Sequence, residues 1–308
     1  MDLSIVAVLG PTAAGKSEIA ETIADRIGAE ILSVDSMQVF RGMDIGTAKP
    51  DADTRERFGY HLVDVADPKD EYTVAEFQTA GNRILDRIEA SAGTVVIAGG
   101  SGLHFRSLVD PLEFPPTDAE LRAELESLEA AALREELVRS DPTAANVIDM
   151  DNPRRVLRAV EIVRLTGATP TSRAASTEAQ AVRAYEPVRR FVAIGVDPGS
   201  GIRGRIEKRF DAMLDAGLVD EVASLAPTMG RTARQAVGYR EVLAVVEEGR
   251  DLAAARDSAV AATASLAKRQ RTYFRRDPRI RWIPWHHEPE QMLSSAVDRL
   301  PKDTSWSS

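Results

Sequence analysis

The stretch Gly10-Pro-Thr-Ala-Ala-Gly-Lys-Ser17 fits the pattern G-x-x-x-x-G-K-[ST], which is typical of loops that bind phosphate groups. The apolar run Leu3–Leu9 before it predicts a buried strand, and Ser17–Ile27 after it has apolar residues at helical spacing. A glycine-rich turn between a strand and a helix forms a nest of backbone N–H groups, to which the helix dipole adds positive potential. Lys16 adds a point charge, and the Ser17 hydroxyl is a candidate ligand for Mg²⁺. A phosphate or pyrophosphate compound is therefore expected to bind Gly10, Pro11, Thr12, Ala13, Ala14, Gly15, Lys16 and Ser17.

The composition is that of a soluble globular protein. Of the 308 residues, 44% are apolar and 28% are charged, and no apolar run approaches the length of a membrane span. Met1 and Asp2 lead directly into the first predicted strand, so no secretory signal is expected. The absence of cysteine excludes disulfides and cysteine nucleophiles and agrees with a cytoplasmic location. The net charge of −9 argues, by itself, against nucleic-acid binding, although a local basic surface is compatible with it.

Strand and helix patterns alternate along much of the chain, which indicates an α/β sheet with helices on both faces. The predicted strands are Leu3–Leu9, Ala29–Val34, Tyr60–Val65, Thr94–Ala98, Phe191–Val196 and Arg281–Trp285. Ligands of open parallel sheets bind beyond the carboxyl ends of the strands. Asp35, after the second strand, and the turn Gly99–Gly102 should therefore lie near the phosphate-binding loop.

Only helical patterns occur between Thr117 and Ala184, and this predicts an all-helical insertion within the α/β domain. The predicted domains are residues 1–114 with 187–308, which form the catalytic core, and residues 115–186, which form the insertion. Further helices are predicted over Gly201–Leu225, Arg234–Glu248 and Leu252–Arg276, and Pro301–Ser308 is expected to fray. The predicted fold class is α/β, a P-loop NTPase-like parallel sheet flanked by helices.

An ATP-binding kinase or NTPase is the first hypothesis for such a loop, but two expected features are missing. The strand Thr94–Ala98 ends in Gly-Gly-Ser, where a Walker-B acid would hold magnesium. The sequence also has no Asn-Lys-x-Asp motif for guanine recognition. Asp197, after a later apolar strand, is left as a possible Walker-B acid.

Several further segments, taken in their order along the chain, point to a different chemistry. They are Gly10–Ser17, Ser33–Ser36, Gly42–Pro50, Gly99–Ser101, Asp151–Glu161, Arg205–Phe210, Val237–Glu241 and Ala267–Gln270. This set strongly resembles the tRNA dimethylallyltransferase family, also called the tRNA isopentenyltransferases. The resemblance runs from Leu3 to about Trp285, and the string Gly42–Pro50 is far more specific than the phosphate-binding loop.

The resemblance implies a prenyl transfer to tRNA. Members of the family transfer the dimethylallyl group of dimethylallyl diphosphate to N6 of the adenosine directly 3′ of certain anticodons (tRNA position 37). The tRNAs are those that read codons starting with U, and the product is N6-isopentenyladenosine. The implied partners are a tRNA anticodon stem-loop and dimethylallyl diphosphate, with no membrane and no obligate protein partner, and the implied cofactor is Mg²⁺.

The resemblance also implies roles for individual residues. Asp35 corresponds to the general base that takes a proton from the adenine amine, while the phosphate-binding loop, with Lys16 and a magnesium ion on Ser17, holds the diphosphate leaving group. Ser101 occupies a position where the family often has Thr, and either hydroxyl can contact substrate. Arg209 matches an arginine near the diphosphate.

The tRNA-binding residues that the resemblance implies lie in both predicted domains. They are Asp35, Ser36, Met37, Gln38, Ser101, Arg122, Arg154, Arg155, Val156, Leu157, Arg158, Gln235, Ala236, Val237, Gly238, Tyr239 and Arg240. A second basic cluster, with aromatic residues in it, could hold phosphates and stack bases or could simply be a solvated helix face. It comprises Lys268, Arg269, Arg271, Tyr273, Phe274, Arg275, Arg276, Arg279 and Arg281.

The four histidines have no acidic or histidine partners at metal-site spacing, so no metal role is assigned to them. His104 stands where the family usually has Tyr. Three alternative functions stay open at this point: an adenylate isopentenyltransferase acting on free nucleotides, a small-molecule kinase, and a non-catalytic RNA-binding module. The helical insertion favours tRNA over free nucleotides, because relatives acting on free nucleotides tend to lack a complete insertion.

Overall fold

A computed structural model describes residues 5–298, in which the strands form one parallel sheet of order β2-β3-β1-β4-β5. The strands are β1 (Ile5–Leu9), β2 (Glu30–Ser33), β3 (Val95–Gly99), β4 (Val192–Asp197) and β5 (Ile280–Pro284). In the register of the central pairs, Ala7 lies opposite Ile97 on one side and Ala193 on the other. The strands β2 and β3 lie on one side of β1, and the later strands β4 and β5 lie on the other side. The carboxyl end of β1 is therefore a topological switch point, where α/β proteins typically bind ligands.

The central strands are buried on both faces, as expected for a parallel sheet covered by helices. Side chains alternate along β1: Ile5, Ala7 and Leu9 pack into one apolar core, whereas Val6 and Val8 pack into a second core on the opposite face. The helices on the two faces cover these cores. They are α1 (Lys16–Ile27), α2 (Ala52–Arg57), α3 (Val74–Ala90), α4 (Gly102–Val109), α10 (Ile202–Asp215), α11 (Leu218–Leu225), α12 (Arg231–Arg234), α13 (Tyr239–Glu248), α14 (Leu252–Phe274) and α15 (Pro289–Val297).

The chain divides into two compact units, of which the second is Asp110–Val188 and the first is the rest of the described residues. The regular secondary structure of the second unit is entirely helical, and its core contains Leu125, Leu137 and Val160. Its helices are α5 (Ala119–Glu126), α6 (Ala130–Ser140), α7 (Pro153–Thr166), α8 (Pro170–Ala174) and α9 (Thr177–Ala184), with a 3₁₀ turn at Ala144–Asn146. The range predicted for the insertion, 115–186, lies inside this unit.

One predicted strand is wrong. Tyr60–Val65 forms only an isolated bridge, between His61 and Leu32, and does not join the sheet as a strand. The reason is the backbone conformation of Leu62 and Asp64, whose φ angles are 61° and 56°. Positive φ lies outside the β region, so an extended run cannot continue through these two residues.

The remaining strand and helix predictions differ from the structure mainly at their ends. The range Gly201–Leu225 contains two helices, which are separated at Gly217 with φ 99°. The predicted first strand begins at Leu3, and the predicted frayed tail is Pro301–Ser308; Leu3 and the tail lie outside the described residues. No helix in the described part of the chain is long and apolar enough to cross a membrane.

Candidate active site

The loop after β1 places a lysine in a cavity at the carboxyl edge of the sheet. Gly15 precedes α1 with φ 77°, a conformation that glycine adopts without steric cost, and the helix begins at Lys16. The Lys16 ammonium donates a hydrogen bond to the Pro11 carbonyl (2.7 Å). Burial lowers the pKa of Lys16 to about 8, with a further contribution from the nearby Arg209 cation, while Asp35 opposes the shift. The loop is therefore short of compensating negative charge, as expected of a site for an anion.

Asp35, directly after β2 and the connecting Val34, is held by its own backbone. Its Oδ1 accepts hydrogen bonds from the N–H groups of Met37 (2.9 Å) and Gln38 (3.4 Å). Both hydrogen bonds that the described residues make to this carboxylate therefore use Oδ1. The turn fixes the carboxylate and leaves Oδ2 for a ligand. The hydrogen bonds to the turn and the predicted role as a base are compatible, because they use different oxygens of the carboxylate.

The end of β3 is tied to the same edge. Val34 donates its N–H to the Ala98 carbonyl (2.8 Å), and its own carbonyl accepts from the Ser101 N–H (3.0 Å). A side chain at Gly99 would come within 2.5 Å of the Val34 carbonyl oxygen, so only glycine allows this approach. Ser101 is thus fixed beside the residue that precedes Asp35.

Gln270 on α14 connects two parts of the site. Its Oε1 accepts the N–H of Thr12 from the phosphate-binding loop (2.9 Å). Its Nε2 lies so close to Gly100 that a Cβ there would be 2.5 Å away. The sequence placed Gln270 in a family segment without giving it a role. The Thr12 N–H, which was predicted to face a phosphate, is occupied by Gln270 in this structure.

Two adjoining cavities meet at a shared wall formed by Thr12, Asp35, Thr47, Arg209 and Gln270. The first cavity is the polar one and contains the cations. Its other lining residues include Lys16, Ser17, Ser33, Gln38, Tyr60, Gly99 and Gly100. The second cavity has a largely apolar wall, which includes Met37, Ile206, Phe210, Met213, Ala236 and Leu266. An anionic group and an apolar group of one substrate could therefore bind side by side, with Asp35 at the boundary.

Arg209 on α10 provides a second cation at this boundary. Burial lowers the pKa of its guanidinium, and Asp35 partly offsets that shift. Arginine has so high a pKa that it keeps its charge despite this shift. Lys16, Arg209 and Asp35 all line the polar cavity, so its wall carries two cations and one carboxylate.

The loop Gly42–Pro50, which forms part of the wall of both cavities, is held by Glu221 on α11. The Glu221 carboxylate accepts hydrogen bonds from three consecutive backbone N–H groups, those of Asp44 (3.0 Å), Ile45 (2.7 Å) and Gly46 (3.2 Å). The Tyr239 hydroxyl donates to the same carboxylate (2.5 Å). A side chain at Gly46 would overlap the Tyr239 ring, at 2.4 Å. The sequence of this loop therefore allows its backbone N–H groups to surround and bind the Glu221 carboxylate.

Lys49 anchors the other end of the same loop. Its side chain is fully buried, and its ammonium forms ion pairs with Asp44 (2.5 Å) and Asp64 (2.6 Å) and donates to the Phe40 carbonyl (2.8 Å). The turn that prevents Tyr60–Val65 from forming a strand thus brings Asp64 to this lysine.

Comparison with known proteins shows the family of this chain. The family described as IPP transferase matches residues 38–277. A tRNA dimethylallyltransferase of Streptomyces griseus is 42% identical over 92% of this chain and 91% of its own length. A tRNA isopentenylpyrophosphate transferase of Bacillus halodurans has a similar structure, with a TM-score of 0.69 and 31% identity over 96% of this chain and 95% of its own. The chain belongs to the IPP transferase family.

A eukaryotic dimethylallyltransferase acting on tRNA has the same fold, with a TM-score of 0.78 over 97% of this chain and 77% of its own. It is 22% identical, and so supports the fold alone. The predicted P-loop NTPase-like α/β class is confirmed by the parallel sheet and by these structural relatives of the IPP transferase family.

The predicted tRNA-binding residues of the first unit occupy different environments. Met37 and residues Ala236–Tyr239 line the apolar cavity, whereas Gln235 and Arg240 are exposed. The Tyr239 side chain is fully buried, so its role in this structure is to hold the loop Gly42–Pro50. Gln38 uses its amide internally, accepting from Ser33 (2.9 Å) and donating to carbonyls of the same loop. Ser36 is half-buried beside Asp35.

The predicted tRNA-binding residues of the helical unit also divide into exposed and internal ones. Arg154 and Arg155 are exposed, and with Arg158 and Arg173 they border a surface pocket with an apolar floor. Arg158 and Arg122 both bind the carboxylate of Glu161, which is fully buried. Two further residues predicted to bind tRNA, Val156 and Leu157, pack in or against the core of this unit. The Val156 side chain is 3% exposed, so it has almost no surface with which to contact RNA.

The second basic cluster, which begins on α14 and continues beyond its end, contains residues with different roles. Arg271 and Arg275 both pair with Asp197 at the end of β4, and Arg275 also lies over the Trp282 ring. Phe274 is buried in the core and cannot stack on a base. Because two arginines occupy its carboxylate, Asp197 anchors α14 to the sheet in this structure, and nothing supports a Walker-B role for it.

Proposed function

We propose that this chain transfers the dimethylallyl group of dimethylallyl diphosphate to N6 of the adenosine directly 3′ of the anticodon, at tRNA position 37. The acceptors are tRNAs that read codons starting with U, and the product is N6-isopentenyladenosine. Membership of the IPP transferase family supports the reaction class. The observation that carries the proposal is the arrangement of Lys16, Arg209 and Asp35 around one cleft with a polar and an apolar half.

The chemistry of the transfer assigns a distinct task to each side of the cleft. The N6 lone pair of adenine forms a bond to C1 of the allyl group, and the bond from C1 to the diphosphate oxygen breaks with its electrons remaining on the oxygen. One N6 proton must leave as the new bond forms, and Asp35 Oδ2 is available to accept it. The products are the prenylated adenosine, pyrophosphate and a proton held by Asp35.

The leaving group requires stabilisation, because negative charge grows on the diphosphate as the C–O bond breaks. Lys16 and Arg209 are positioned in the polar cavity before any substrate arrives, so they need little reorganisation. The partial burial that lowers the pKa values of both cations also strengthens their attraction for an anion. The apolar cavity beside them fits the hydrocarbon part of the same substrate.

The residues present also fit a magnesium ion bound mainly through the substrate. Mg²⁺ typically uses one or two protein oxygens together with phosphates and water, and the Ser17 hydroxyl lines the same cavity as Lys16. The described residues contain no group of three or more His, Asp or Glu side chains that could hold a metal ion. When bound there, Mg²⁺ would neutralise charge on the diphosphate.

The proposal is tested by incubating the protein and Mg²⁺ with dimethylallyl diphosphate and an anticodon stem-loop that carries adenosine at position 37. Mass spectrometry should show one added isopentenyl group on the stem-loop and none on a stem-loop with guanosine at that position. Prenylation of free AMP instead of RNA would favour the adenylate isopentenyltransferase alternative. ATP-dependent phosphorylation without prenyl transfer would overturn the proposal in favour of a kinase.

A further inference from the structure

His104 is a buried titratable residue beside the site that the mechanism above does not use. It lies in the first turn of α4, is 7% exposed, and makes an edge-to-face ring contact with Phe77, with centroids 4.5 Å apart. Its Nδ1 is 2.6 Å from the Ser101 hydroxyl. The Ser101 backbone is in turn bound to the Val34 carbonyl, directly before Asp35. A chain of two hydrogen bonds therefore connects His104 to the strand end that carries Asp35.

The imidazole is neutral near physiological pH. Burial lowers the pKa of His104 to about 4, although the nearby Asp35 carboxylate opposes this shift. A neutral imidazole has one nitrogen that donates and one that accepts, and the hydrogen bonds of the ring decide which is which. The hydrogen bond to Ser101 can therefore fix the tautomer of His104, and the tautomer can fix the direction of the Ser101 hydroxyl.

The chemistry of the substrate determines whether the Ser101 hydroxyl should donate to the substrate or accept from it. An adenine amine whose lone pair attacks carbon presents only N–H donors to its surroundings, so a useful hydroxyl must accept from it. The single proton of Ser101 then has to point elsewhere, and His104 Nδ1 is the hydrogen-bond partner that residues 5–298 provide for it. With its proton on this bond, Ser101 Oγ has only lone pairs left for the substrate.

We propose that His104 is a positioning residue for Ser101: its Nδ1 accepts a hydrogen bond from the Ser101 hydroxyl, so that Ser101 Oγ can accept a hydrogen bond from the amine of the acceptor adenosine. The inference rests on the proposed prenyl transfer and assigns a task to a residue outside the cleft wall. The ring nitrogen Nδ1 accepts a hydrogen bond from the Ser101 hydroxyl.

The test is a double-mutant cycle between His104 and Ser101. His104→Phe keeps an aromatic ring against Phe77 but removes the acceptor, so kcat should fall about 3- to 10-fold, as expected for one lost hydrogen bond. In the Ser101→Ala background the same substitution should have no further effect, and His104→Asn, which retains an oxygen near the Nδ1 position, should recover most of the loss. KM for dimethylallyl diphosphate should stay unchanged throughout.

A loss of the same size in both backgrounds, or no loss at all, would show that His104 only fills space. A second measurement does not depend on activity or on the variants folding. Nitrogen NMR of the wild-type protein labelled at histidine should show Nδ1 unprotonated and Nε2 protonated for His104; the reverse tautomer would overturn the inference. A wild-type enzyme that transfers no prenyl group to RNA would refute the proposed function instead, and the two failures are therefore distinguishable.

Discussion

Asp35 combines a structural and a chemical task in one carboxylate. Since Oδ1 is held by two backbone N–H groups, removing the whole side chain would disturb the turn as well as the base. Asp35→Asn keeps an Oδ1 acceptor for the turn and removes the ability to take a proton. We expect kcat to fall by about 10²- to 10⁴-fold, the range for loss of a general base. Affinity for the tRNA stem-loop, measured by filter binding, should change little.

Asp35→Ala is the matched comparison, because it removes both the turn acceptor and the base. It should be as inactive as Asp35→Asn but should also lower the thermal unfolding midpoint. Near-wild-type turnover in Asp35→Asn would exclude Asp35 as the base.

Lys16 gives the diphosphate site a pH dependence. With its pKa lowered to about 8, the free protein carries the Lys16 charge below that pH and loses it as the pH rises further. Binding of inorganic pyrophosphate should therefore weaken above pH 8, by up to about tenfold per pH unit, and should take up a proton in that range. Isothermal titration calorimetry from pH 7 to 9.5 measures both effects.

The control for the pH dependence is the variant Lys16→Arg, because an arginine side chain keeps its positive charge throughout this pH range. Titration of pyrophosphate itself affects both proteins equally, so only the difference between their pH profiles reports on Lys16. Identical profiles would contradict the assignment.

The loop Gly42–Pro50 shows how an element without regular structure can be rigid. Its N–H groups at residues 44–46 surround the Glu221 carboxylate, and its Lys49 is buried among carboxylates. Hydrogen bonds to a charged group typically contribute about 1.5–3 kcal/mol. Glu221→Gln should therefore increase amide hydrogen exchange at residues 44–46 about tenfold or more and lower the thermal unfolding midpoint.

A matched control for the loop is Glu207→Gln, which removes a carboxylate from a surface pair with Arg203 on α10. Such a pair contributes little to stability. If the two variants show equal exchange at residues 44–46, Glu221 does not hold the loop.

At the same scale, the central strands β1, β3 and β4 were predicted correctly from their apolar runs, because burial between two helical layers requires such runs. The predicted strand Tyr60–Val65 has a similar composition but contains two residues with positive φ, which composition does not reveal. The phosphate-binding loop and Asp35 could be found from sequence because their contacts are local. The contacts of Gln270 with Thr12 and of Glu221 with residues 44–46 join segments far apart in the chain, and no single-sequence pattern predicts them.

On the scale of the whole molecule, each of the two compact units has its own core, and the helical unit also has a buried ion pair network. Glu161 is fully buried, and its pKa is held below the usual range because hydrogen bonds from Arg122 and Arg158 outweigh the opposing effect of burial. Two arginines predicted from the family to bind tRNA thus also stabilise the unit that carries them. A substitution at Glu161 should therefore destabilise the helical unit without affecting the cleft in the first unit.

Glu161→Gln leaves Arg122 and Arg158 without their carboxylate, and because both arginines remain partly exposed we expect a cost of about 1–3 kcal/mol. Differential scanning calorimetry should show that the helical unit unfolds at a lower temperature than in the wild type. Stem-loop affinity should fall, whereas pyrophosphate binding by the first unit should be unchanged. The difference in unfolding free energy between the variant and the wild type should shrink as the pH falls below 4.5. The reason is that a carboxylate with a lowered pKa stabilises the folded state only while it is ionised. Glu135→Gln, at an exposed position of the same unit, is the control. Loss of pyrophosphate binding together with stem-loop binding would show that the two units do not unfold independently.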